Sequence, residues 1–138
     1  MNSNLIVELK EGVQFCLKEE FCFYFEGLLD ERAIEILSPL SCFSVENGGV
    51  LKIPSGFYTD FGSIPLIFQS LISPVGKPSK AYVVHDYLIM LSKGGNLRRK
   101  DADLIFLYAL KRQGIGIVKR SILYGAVRVY SLLLGLFR

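Results

Sequence analysis

The spacing of hydrophobic and polar positions changes part-way along the chain. Residues 5–11, LIVELKE, alternate in part and are rich in aliphatic side chains, which predicts a first strand. Residues 13–17, VQFCL, and 20–25, EFCFYF, are two further runs, parted by Lys18 and Glu19. Aromatic and β-branched side chains of this kind fit the pleated, half-buried surface of a sheet. Residues 30–37, DERAIEIL, suit a short helix or another strand, and Pro39 ends the run because it has no N–H to donate. Glu46-Asn47-Gly48-Gly49 is a turn signal, since Asn and Gly accept positive φ at little cost. The VLKIP run after it alternates again. The first 55 residues thus predict a small antiparallel sheet.

Past Pro54-Ser55-Gly56 the pattern becomes helical. Ser63 as N-cap and Pro65 in the first turn predict a short helix ending near Leu71. A Pro- and Gly-rich loop follows, and Ser79 is the expected N-cap of a helix from Lys80 to Ser92. Lys93-Gly94-Gly95-Asn96 stops it. The next helix is expected over Arg98 to Arg112, with Asp101 and Asp103 in its first turn, where the helix dipole favours anions. After Gln113-Gly114-Ile115-Gly116, a last helix runs from Val118 to Phe137. Its stripe of small and polar residues is Ser121, Tyr124, Gly125, Arg128 and Gly135. The pattern shows no repeat and no linker. It predicts one α+β domain over residues 1–138, mainly strands in 1–55 and three to four helices in 56–138.

Composition narrows the class. Hydrophobic residues make up 51%, with ten Phe and seven Tyr, which excludes a disordered chain and predicts a dense core. Cys16, Cys22 and Cys42 form no CxxC pair and are expected as reduced, buried thiols. The single histidine disfavours structural zinc, which takes four Cys or His ligands. Residues 1–92 hold six Lys and Arg against eleven Asp and Glu, a net −5; residues 93–138 hold ten against two, a net +8. A basic third of this kind suits nucleic acid, anionic lipid or an acidic partner. Pairing with the acidic N-terminal part, or a solvated helix face, is the expected explanation, so a nucleic-acid or membrane-surface binder ranks last. Ser121 to Phe137 has one charge, Arg128, near its middle, and falls short of the roughly 20 apolar residues of a membrane span. A packed helix is expected there, with membrane contact as the alternative. MNSNLIVELKEG lacks a basic stretch followed by an apolar core, so the expectation is synthesis in the cytoplasm without a signal peptide.

The helix over Lys80 to Ser92 is apolar all round and therefore expected to be buried. It nevertheless contains His85 and Asp86. A buried polar group without a partner costs about 1–3 kcal/mol, so both need hydrogen bonds. Adjacent helical residues point about 100° apart, so Asp86 is not the partner of the His85 ring. The candidate cluster is His85, Asp60 and Asp103, with Thr59, Ser63 and Asp86 in support. His85 is expected as a general base oriented by Asp60 or Asp103. A divalent metal held by some of His85, Asp60, Asp86 and Asp103 is a second option, since one imidazole among carboxylates suits Mg, Mn, Ca or Fe better than structural zinc. A polar knot that only specifies the fold is the third. Ser63 as nucleophile is disfavoured, because no Gly-x-Ser-x-Gly elbow surrounds it.

Three segments, IPSGFYTDFGSIP, AYVVHDYL and KDADLIFLYAL, occur in this order and are followed by Tyr124-Gly125-Ala126-Val127-Arg128. Together they resemble a phage and prophage family catalogued as a domain of unknown function. That family shows Gly-Phe-x-Thr-Asp-x-Ala-Ser-x-Pro, His-Asp-x-Leu-Tyr and Ala-Asp-x-x-Phe. The matching positions here are Gly56, Phe57, Thr59, Asp60, Ser63, Pro65, His85, Asp86, Leu88, Ala102, Asp103 and Phe106. Gly62, Leu66 and Ile89 stand where the family has Ala, Arg and Tyr. The resemblance covers Leu51 to Tyr130 and implies a phage or prophage origin near tail and lysis functions. It also implies other phage proteins or the host cell envelope as partners, and the virion as a destination. The leading expectation is a tail- or lysis-associated, hydrolase-like domain acting on the host envelope, with His85 as base or metal ligand. The alternative is a non-catalytic component of the tail or baseplate.

Overall fold

The structure is a computed structural model and describes residues 5–9, 15–59 and 79–136. The apolar runs of the first half form six short strands: β1 (Val7–Leu9), β2 (Phe15–Leu17), β3 (Phe21–Tyr24), β4 (Phe43–Ser44), β5 (Val50–Ile53) and β6 (Tyr58–Thr59). Among the described residues the α-helices are α1 (Glu31–Leu37), α2 (Ser79–Lys93), α3 (Arg99–Arg112) and α4 (Ile117–Leu136). The class is α+β, as the pattern predicts.

The expected single sheet is two. One has the order β1-β2-β6 and the other β3-β5-β4, all antiparallel. The reason lies between them. β2 and β3 are joined by the exposed Lys18-Glu19-Glu20, and opposite them Pro54-Ser55-Gly56 joins β5 to β6. Pro54 brings no N–H and Gly56 adopts φ +86°, so the ladder cannot continue straight through. Two backbone bonds hold the bend: the Gly56 N–H donates to the Leu17 carbonyl at 2.7 Å, and the Leu17 N–H to the Phe57 carbonyl at 2.9 Å. β6 also lies beyond the expected end of the strand-rich part at residue 55.

In β3 the period-two alternation turns Phe21 and Phe23 inward, and Phe25 continues the row. Cys22 sits on the other face. All three cysteines are half-buried rather than in the core, a correction to the composition-based expectation. Burial pushes the Cys42 thiol above its ordinary pKa. The 30–37 stretch is a helix and not a strand, because the Asp30 side chain accepts the Ala33 N–H at 2.9 Å and caps it. The Asn-Gly signal is a single 3-10 turn, Glu46–Gly48, with Asn47 at φ 54°. The Gly27 N–H donates to the Gly48 carbonyl at 2.9 Å, and a Cβ on Gly48 would lie 2.6 Å from the Gly27 nitrogen.

α2 packs along α3, and α3 along α4. Val84 and Leu88 of α2 meet Ile105, Phe106 and Leu110 of α3 in one core with Phe21, Phe23, Leu51 and Ile53 of the sheet. Ser79 is the first residue of α2 rather than a cap preceding it. Asp103 falls in the second turn of α3, one turn later than expected, leaving Asp101 as the first-turn acid. The helix expected between Ser63 and Leu71 lies outside the described residues. Among those described, no helix is long and apolar enough to cross a membrane.

Candidate functional site

His85 lies midway along α2 and faces the second turn of α3. There Asp103 is fully buried, at 0% exposure, and His85 keeps 6%. His85 Nε2 and Asp103 Oδ1 are 2.7 Å apart. An ionised carboxylate only accepts, so this bond places a ring proton on Nε2, and in the neutral ring the lone pair is then on Nδ1. The other oxygen, Oδ2, accepts from Arg128 Nη1 at 2.8 Å and from Ser131 Oγ at 2.8 Å, both on α4. Ser131 in turn accepts from Arg99 Nε at 2.7 Å, and the Arg99 guanidinium lies 5.7 Å from the Tyr130 ring centroid. One carboxylate therefore takes donors from both neighbouring helices. Its charge is shared with Arg128, and its bond to Nε2 fixes the orientation of the His85 ring.

The apolar wall of this cluster is Phe106. Its ring is 4.7 Å from that of His85 and stacks at 5.7 Å on Tyr82, one turn before His85 on α2. The Tyr82 hydroxyl is buried and has no hydrogen-bond partner among the described residues. Burial pushes its pKa up to about 12.

Asp86 points elsewhere, as helical geometry requires. Its Oδ2 accepts from Thr59 Oγ1 at 2.5 Å, which ties β6 to α2. These two residues line a cleft of about 640 Å³ with Pro54, Phe57, Tyr58, Tyr87, Met90 and Lys93. Phe57 and Tyr87 meet edge to face at 5.2 Å on its wall. The described lining includes neither His85 nor Asp103. The buried cluster and the open cleft thus use different sides of the same helix.

Of the candidates from sequence, the structure brings His85 to Asp103 and Thr59 to Asp86. Asp60 and Ser63 lie outside the described residues. Among those described, no three His, Cys, Asp or Glu side chains gather as metal ligands, so His85, Asp86 and Asp103 do not form such a set. Sequence reasoning missed Arg128 and Ser131 as partners of Asp103, and Arg99 behind them. The available signal was a polar pair three residues apart in the apolar C-terminal half of that helix, which places both on one face.

A family model described as "Protein of unknown function (DUF1353)" matches residues 34–127. No curated protein and no solved structure matches the chain.

Proposed function

The chain belongs to the DUF1353 family, and from that premise we propose that it is a non-catalytic component of a bacteriophage or prophage particle, in its tail or baseplate. In this reading the buried cluster locks the fold and does not turn over a substrate. The phage assignment is supported by the ordered motifs around Asp60, His85 and Asp103. The structural role is supported above all by Asp103. It is fully buried and shared by His85, Arg128 and Ser131, so the groups a catalyst would present to substrate are spent on one another.

One observation favours a second reading, an envelope hydrolase with His85 as general base. The Asp103 bond leaves Nδ1 with its lone pair, and the His85 side chain keeps 8% of its surface exposed. The two readings part on one pair of variants. A glutamine amide can still donate to Asp103, whereas an alanine cannot. The structural role predicts that His85→Ala loses about 2–3 kcal/mol in urea unfolding and that His85→Gln keeps most of the stability. Wild type should clear no peptidoglycan, and mass spectrometry of purified particles should find the chain in stoichiometric amount. Clearing activity in wild type, lost in a fully folded His85→Gln, would instead establish the hydrolase.

A further inference from the structure

The last helix has two apolar faces, and the molecule uses one. Leu123, Ala126 and Val127 are buried within the molecule. On the other side Val118, Ile122, Val129, Leu132 and Leu133 are 68%, 40%, 56%, 60% and 47% exposed. The series 118, 122, 125, 129, 132 steps by four, three, four and three, the spacing of a coiled-coil seam.

Gly125 stands in the middle of that series. A glycine inside a helix costs up to about 1 kcal/mol relative to alanine. Among the described residues nothing explains it, because a Cβ there would meet no atom within 4 Å. A second helix crossing closely at that point does explain it.

We propose that α4 pairs with α4 of a second copy of this chain, in parallel, about a two-fold axis. Three features select this occupant. In heptad terms Ile122 and Val129 are a positions and Leu132 is a d position, and β-branched a with leucine d favours parallel two-stranded pairing. Of the flanking positions, Ser121, Ala126 and Leu133 are uncharged, Lys119 sits at the N-terminal end and Arg128 is held by Asp103, so no row of like charges opposes self-association. The area also fits. The five side chains expose on the order of 500 Å² of apolar surface per copy, near the upper end of the largest patch a monomer shows. Two copies together bury on the order of 1,000 Å² from these side chains alone, where specific interfaces begin.

The test uses the full chain. Sedimentation at micromolar concentration should give a dimer, and Val129→Glu with Leu132→Glu should give a monomer with unchanged circular dichroism. Should that double variant unfold, Val118→Lys, at a site 68% exposed, serves in its place and should likewise weaken the dimer. Leu132→Cys should form an interchain disulfide above the background set by Cys16, Cys22 and Cys42, because equivalent residues meet only at a parallel two-fold seam. A monomeric wild type overturns the proposal, as does a dimer that survives the substitutions or one in which Leu132→Cys does not cross-link. A monomer that co-sediments with phosphatidylethanolamine/phosphatidylglycerol vesicles overturns it in favour of a lipid surface.

Discussion

At the scale of single residues, the helical layer depends on one carboxylate. Replacing Asp103 with alanine leaves Arg128 facing an apolar gap and removes the acceptor of His85 and Ser131. The expected loss is about 3 kcal/mol or more in denaturant unfolding, and Asp103→Leu with Arg128→Met should recover the part due to the stranded charge while His85 still lacks its acceptor. Tyr82 works in the opposite direction. Its unpartnered hydroxyl is a cost, so Tyr82→Phe should raise stability by about 1 kcal/mol. The same residue makes the protein alkali-sensitive. Folded Tyr82 holds its proton to about pH 12, against 10.0 for an ordinary tyrosine. Between those values the unfolded chain has released a proton that the folded chain keeps, so stability falls as pH rises through that window. Tyr82→Phe should remove that part of the fall, readable as unfolding free energy against pH. The sequence made His85 and its need for a carboxylate legible, because it is the one histidine on an apolar helix. It left Asp60 and Asp103 as equals, since spacing gives a residue's face but not which distant face it meets.

At the scale of elements, the three long helices were legible to within a residue or two, because Gly94-Gly95 and Gln113-Gly114 interrupt strong apolar runs. The two sheets were not legible. Alternation marks a strand but not its partner, and β2 finds β6 about forty residues away in sequence. The hairpin turn was marked by composition, and the structure adds what it touches. Gly48 needs a positive φ of 81° and packs onto the Glu26–Gly27 backbone, where a Cβ would sit 2.6 Å from the Gly27 nitrogen. Gly48→Ala should therefore cost about 2 kcal/mol, from left-handed strain and the clash together, and lower the melting temperature accordingly.

At the scale of the whole molecule, burial sets the order of local opening. Val83, Val84 and Leu88 in α2, with Ile105, Phe106 and Ala109 in α3, are at 0% exposure and belong to the core shared with β3 and β5. Amide exchange at these positions should be the slowest in the chain and approach the global unfolding free energy, while the exposed face of α4 around Val118 exchanges faster. Comparable rates in the two regions would mean that the helices do not open in this order. The shared carboxylate has a further consequence, for the order of synthesis. Translation delivers His85 and Asp103 well before Arg128 and Ser131. Until α4 leaves the ribosome, Asp103 lacks two of its donors and stays hydrated rather than dry. The carboxylate gains its full set of donors only when α4 arrives, so a chain held on the ribosome short of Arg128 is expected to leave the α2–α3 pair open to hydrogen exchange.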